Sequence, residues 1–187
     1  MIKPNLFPWN VRANILNIDS PAGVGYSIAN GTNDTVHNDV STTEDAFAAL
    51  QAFFRDYPEL KGNELWVTGE SYAGIYSPYL ALRIHHWNQA QEMVGGETMN
   101  LQGFIVGNGM TDMYIDSDNV LLESVANWGM IPLPLWTKMD ELGCLFFWEK
   151  VPVTPDNDPQ CAGLYNQSME LIKDLDIYDL FRTQYTI

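Results

Sequence analysis

Basic side chains are scarce in this chain. Across 187 residues, 9 Lys and Arg stand against 24 Asp and Glu, for a formal net charge of −15 with histidine neutral. A protein that tracks nucleic-acid phosphates needs a surplus of Lys and Arg on at least one face, so the shortage excludes that class. Long apolar runs are missing as well, and none approaches the roughly 18 residues of a membrane-spanning helix. Met1 to Asn10 lacks the charged and apolar regions of a secretory leader. Cysteine is limited to Cys144 and Cys161, too few for a zinc site of paired C-x-x-C ligands. The two suit either one disulfide closing a short loop or two unrelated buried thiols. No metal or cofactor is expected.

Apolar side chains are not in short supply. At 46% hydrophobic and 12% aromatic, the chain can bury a core, which excludes a disordered acidic tail. Its length suits one domain or most of one. Three sequons, at Asn30, Asn33 and Asn166, fit N-x-[ST] without proline. Two of them crowd a polar loop. Together they favour a protein of the secretory pathway, which agrees with the missing leader only if the native N-terminus lies upstream of Met1.

Along the chain, residues 13–19 read as a short strand entering the turn Ser20-Pro21-Ala22-Gly23-Val24-Gly25, and residues 27–40 as a loop. Ser41-Thr42-Thr43-Glu44 supplies a capping box, after which Ala46, Phe47, Ala49, Leu50, Phe53 and Phe54 recur at helical spacing until Tyr57-Pro58. Residues 64–69 form a second strand. A helix is expected from Tyr72 to about Trp87, kinked or loosened by Pro78, and a third strand over 101–106 ends in Gly107-Asn108-Gly109. Strands alternating with helices argue for an α/β fold with a parallel sheet and helices on both faces. Residues 1–110 are expected to form this core segment, and residues 111–187 a mostly helical insertion interrupted at Ile131-Pro132-Leu133-Pro134.

The sharpest chemical signal is Gly69-Glu70-Ser71-Tyr72-Ala73, set where a strand ends and a helix begins. This is the nucleophile-elbow arrangement of α/β-hydrolases. Small residues at −2 and +2 permit a strained turn that lifts the serine hydroxyl above the sheet edge. The Tyr72 N–H then points where a tetrahedral oxyanion forms, and the helix N-terminus adds partial positive charge. A nucleophilic serine needs a base, and in this fold the histidine follows the serine. His37 precedes it, while His85 and His86 lie some 20 Å along the helix at 1.5 Å per residue. The bland alternative is therefore an ordinary strand–helix turn bearing a serine.

Three blocks in register decide between these readings. Asp19-Ser20-Pro21-Ala22-Gly23-Val24-Gly25-Tyr26-Ser27, the Gly69 to Gly74 elbow with Tyr76 and Pro78, and Val106-Gly107-Asn108-Gly109 together resemble the serine carboxypeptidases, the cathepsin A family. The likeness extends over Trp9-Asn10 and Asn127-Trp128-Gly129-Met130-Ile131 and spans essentially the whole chain.

The resemblance implies an α/β-hydrolase fold and an acyl-enzyme on Ser71, with Tyr72 as one backbone oxyanion donor. It implies that Glu70 helps to grip the carboxylate that ends a peptide, beside a second acid. Carboxyls crowded around a carboxylate cannot all ionise, so such a site suits acidic pH. It also implies a Cys144–Cys161 disulfide and a lysosomal, vacuolar or secreted setting. The expected partners are peptide or protein C-termini, with no nucleic acid, no membrane span, and a homodimer as the oligomer to test. Asp19 and Asn108 are expected to hold turns, and Tyr72, Tyr76 and Tyr79 to pack. The family's Asn-Gly-Gly-Pro-Gly segment and its catalytic aspartate and histidine are not among these residues, so the chain is expected to be a partial sequence. Two alternatives stay open: an acyltransferase with the same triad, and a catalytically inactive truncated binding module.

Overall fold

The computed structural model describes residues 3–31, 36–112, 115–116, 118–144, 158–176 and 178–179. The chain divides into two compact units, Met1–Gly109 and Met110–Ile187.

In the first unit, helix α1 spans Asp39–Asp56. It starts two residues before the expected box. Asn38 caps it, its Oδ1 accepting the Ser41 N–H at 2.9 Å while Ser41 Oγ accepts the Asn38 N–H at 3.0 Å. Ser41 thus takes the third helical position, where it answers the cap as a glutamate would. Phe47 and Leu50 are buried, Phe53 and Phe54 half-buried, and Ala49, expected inside, is exposed. Tyr57 closes the helix, donating its N–H to the Phe53 carbonyl.

Strand β1 (Leu65–Glu70) and strand β2 (Leu101–Gly107) pair in parallel, joined through helix α2 (Ala73–Val94). A parallel pair requires such a crossover. Leu65, Val67 and Leu101 turn toward α1 and α2, packing on Phe47, Leu50, Ile84 and Met99. Arg83 strengthens the helix–helix contact. Its guanidinium lies 4.0 Å from the Phe47 ring centroid, and its Nε donates to Glu44 at 2.6 Å.

Two expectations need correction here. Helix α2 runs past Trp87 to Val94, ending at Gly95 with φ 69. Pro78 forgoes only the bond to the Gly74 carbonyl, early in the helix, and the helix continues through it. The expected strand over 13–19 is not in the ladder, so among the described residues the sheet has two strands. Extended backbone becomes a strand only when a neighbour pairs with it. Ile15 and Leu16 stay exposed, and Asp19 turns its bonding capacity to the loop that follows.

The second unit contains α3 (Asp118–Asn127), α4 (Leu133–Glu141) and α5 (Pro159–Ile172). Pro132 stands at the N-cap of α4, which accounts for the expected break between α3 and α4. Asp158 caps α5, accepting the N–H groups of Gln160 and Cys161. Leu122, Val125, Ile131, Leu135, Met139, Leu164 and Ile172 form the core around a disulfide between Cys144 and Cys161, whose Cα atoms are 5.3 Å apart.

Candidate active site at the strand–helix turn

Ser71 and Tyr72 are the whole connection between β1 and α2. Ser71 adopts φ 60, a left-handed conformation that costs a non-glycine residue on the order of 1–3 kcal/mol and persists only when its surroundings over-determine it. Three backbone bonds supply that constraint. The Ser71 N–H donates to the Gly107 carbonyl of β2 at 3.1 Å, the Gly74 N–H to the Ser71 carbonyl at 3.0 Å, and the Ile75 N–H to the Tyr72 carbonyl at 3.0 Å. Glu70 and Gly107 are partners in the ladder, and the residues after them, Ser71 and Asn108, are the two described non-glycine residues with positive φ.

Steric fit explains the small residues. A Cβ on Gly69 would lie 2.2 Å from the Ala73 Cβ and 2.8 Å from Ser77 Oγ. The methyl of Ala73 is therefore tolerated at +2 because position −2 carries none. A Cβ on Gly109 would lie 2.4 Å from a Val106 methyl and 3.2 Å from the Gly74 Cα, so the chain leaving β2 passes against the first turn of α2 only as glycine.

Ser71 and Glu70 are exposed. Tyr72 is half-buried, and its backbone N–H bonds no described residue. Its phenol donates to Asp39 Oδ1 at 3.1 Å and its ring packs edge-on to Tyr76 with centroids 4.9 Å apart. The bond to the Asp39 carboxylate, helped by partial burial, pushes the phenol's pKa upward. Asp39 was not anticipated as a site residue. The sequence pattern places residues 27–40 in a loop, and the contact of Asp39 with Tyr72 spans 33 positions and leaves no local signal.

Asp19 serves its own turn. Its Oδ2 accepts the Tyr26 N–H at 2.8 Å and its carbonyl accepts the Ser27 hydroxyl at 2.6 Å. Tyr79 is 45% exposed and so packs less than expected. His85 and His86 are exposed on α2, His37 stands just before the α1 cap, and none of the three hydrogen-bonds Ser71. Asn30 is exposed in its loop and Asn166 on α5, where Ser168 of the same sequon is fully buried and donates to the Leu164 carbonyl; Asn33 lies outside the described residues. A cavity of about 420 Å³ lined by Phe54, Arg55, Lys61, Trp87 and Met99 borders none of the elbow residues. Among the described residues no group of three or more His, Cys, Asp or Glu could hold a metal, and no helix is long and apolar enough to cross a membrane.

The family described as serine carboxypeptidase matches residues 1–187. Lysosomal protective protein of Mus musculus is 37% identical over 179 residues, covering 95% of this chain and 35% of that protein. Serine carboxypeptidase 3 of Oryza sativa subsp. japonica is 43% identical over 108 residues, covering 58% of this chain and 21% of that protein. The chain thus spans about a third or less of the length of these relatives. Among solved structures, Kex1(delta)p, a prohormone-processing carboxypeptidase from Saccharomyces cerevisiae, superposes with a TM-score of 0.61. It shares 21% identity, over 82% of this chain and 34% of that one, and so speaks to the fold.

Proposed function

The chain belongs to the serine carboxypeptidase family, and on that premise we propose that it supplies the nucleophile of a serine-type carboxypeptidase. Ser71 Oγ attacks the carbonyl carbon of the last peptide bond and gives its proton to a base. The Tyr72 N–H donates to the oxyanion, the C-terminal amino acid leaves with the proton, and water hydrolyses the ester on Ser71. Glu70, exposed beside Ser71, grips the terminal carboxylate of the peptide, a role that favours a peptidase over acyl transfer to an alcohol. No histidine of this chain bonds Ser71, so the proposed base is one outside residues 1–187. In this reading residues 1–110 are a core segment of an α/β-hydrolase fold and residues 111–187 its helical insertion.

The observation that carries the proposal is the strained Ser71, φ 60, held by the Gly107 carbonyl in a strand–helix turn. An acidic lysosomal or vacuolar compartment, or the secreted space, fits the Cys144–Cys161 disulfide and the surplus of acidic side chains, with glycans proposed on Asn30, Asn33 and Asn166. The test is labelling of the full-length protein with a fluorophosphonate. Mass spectrometry is expected to find the adduct on Ser71, with loss of C-terminal residue release from a blocked dipeptide. An active protein that takes no label there would sink the nucleophile role.

A further inference from the structure

A strained elbow needs more than its own backbone bonds, and the side chain of Tyr72 reaches away from it to the start of another helix. The phenol hydroxyl meets Asp39 Oδ1 at 3.1 Å, across 33 positions of sequence. Asp39 is itself fixed. It is the first residue of α1, behind the Asn38–Ser41 box, and its carbonyl accepts the Thr43 hydroxyl at 2.6 Å. Tyr76, one turn into α2, closes on the Tyr72 ring from the side. The ring is thus held at its tip by α1 and at its edge by α2. The residue so held is the one whose N–H follows the nucleophile.

We propose that Asp39 is a positioning residue for acyl transfer: by holding the Tyr72 phenol, it sets the orientation of the Tyr72 backbone N–H toward the oxyanion. The inference rests on the role given to Ser71 and Tyr72 above. Its physical basis is tolerance. An oxyanion donor works within a few tenths of an ångström of its ideal distance, and loss of one such donor costs on the order of 100-fold or more in kcat. The peptide plane that carries the Tyr72 N–H is held on its Ser71 side, where the Ser71 carbonyl accepts the Gly74 N–H at 3.0 Å. A hydrogen bond at the far end of a stiff aromatic side chain adds a second restraint from the Tyr72 side, at the cost of only two χ angles.

A competing account gives Asp39 only a helix-stabilising role, because a carboxylate in the first turn favours the N-terminus of α1. Four variants of the full-length protein, compared by kcat and KM on a blocked dipeptide per phosphonate-labelled site, separate the two. Asp39→Ala is expected to lower kcat about 10-fold with KM within about twofold, a partial loss of the full donor effect. Tyr72→Phe keeps the backbone and the ring and loses only the hydroxyl; it should match Asp39→Ala. Combining the two should cost no more than either alone, because one interaction cannot be removed twice. Asp39→Asn keeps an oxygen acceptor and loses the charge. Positioning predicts that it works almost like the parent, whereas helix stabilisation predicts that it melts and behaves like Asp39→Ala. An unchanged kcat in Tyr72→Phe, or additive losses in the double variant, overturns the proposal alone. A parent protein that is active without label on Ser71 overturns the underlying reading together with it.

Discussion

Replacing Gly69 by alanine tests the elbow where its geometry is tightest. The added methyl would sit 2.2 Å from the Ala73 Cβ, more than 1 Å inside the ~3.5 Å of ordinary carbon contact. Ser77 Oγ, at 2.8 Å, blocks the nearest escape. Neither neighbour is the loose end of a long side chain, so relief must come from moving the first turn of α2 away from β1. Overpacking of this kind costs about 1–3 kcal/mol, and the chain entropy returned by losing a glycine recovers only about 0.5–1 kcal/mol. The net is a destabilisation on the order of 1–2 kcal/mol. The larger effect falls on chemistry, since a shift of about 1 Å at a reacting group can cost 100-fold in rate. The assay is the rate of fluorophosphonate adduct formation at Ser71 in full-length protein, alongside a thermal melt. Gly69→Ala is expected to label about 100-fold more slowly. The double variant Gly69→Ala/Ala73→Gly removes the closest contact and should recover much of that loss. A Gly69→Ala protein that labels and melts like its parent would refute the steric argument.

Other outcomes follow from local chemistry. Cys144→Ser/Cys161→Ser should destabilise the helical unit by roughly 3 kcal/mol in the chain-entropy view, and thiol titration of the denatured parent should find no free thiol. The Tyr72 phenol is held protonated by the Asp39 carboxylate, so its folded pKa lies above its unfolded value of about 10. Its contribution to stability is present below that value and fades as pH rises through the folded pKa. Tyrosinate absorbance should show one late-titrating tyrosine that returns to the ordinary range in Asp39→Ala. Asp116 behaves in the opposite sense. The N–H groups of Thr111 and Asp112 and the Thr111 hydroxyl all donate to its Oδ2, which lowers its pKa. That contribution is present above the unfolded value of about 3.9 and is lost as pH falls through the folded pKa. Carboxyl-carbon NMR should find Asp116 titrating below the ordinary range, and a value at or above it would overturn the assignment.

Much of the first unit was legible because its signals are local. The 3.6-residue rhythm of Phe47, Leu50 and Phe54 marks α1 whatever packs against it, and a strand followed at once by Ser71 and a helical pattern marks the elbow. Helix boundaries were less legible. The pattern of Ser41 to Glu44 suggests a start at Ser41, but the cap is Asn38, because it and Ser41 satisfy each other's N–H. Residues 13–19 carry a strand's composition without a strand's bonds. Composition favours extended backbone, while pairing needs a partner that no local pattern specifies.

By itself the sequence determined the scarcity of basic charge, the order of helices and strands around residues 39–107, and the presence of a serine in a tight strand–helix turn. Each depends on residues within a turn or two of one another, or on a simple count. The tertiary structure decided what lies between distant positions: that Gly69 is needed because Ala73 lies against it, that Cys144 pairs with Cys161, and that Asp39 meets the Tyr72 phenol. Contacts such as these form only when helices and strands pack, and packing is set by the fit of whole faces rather than by any short run of residues.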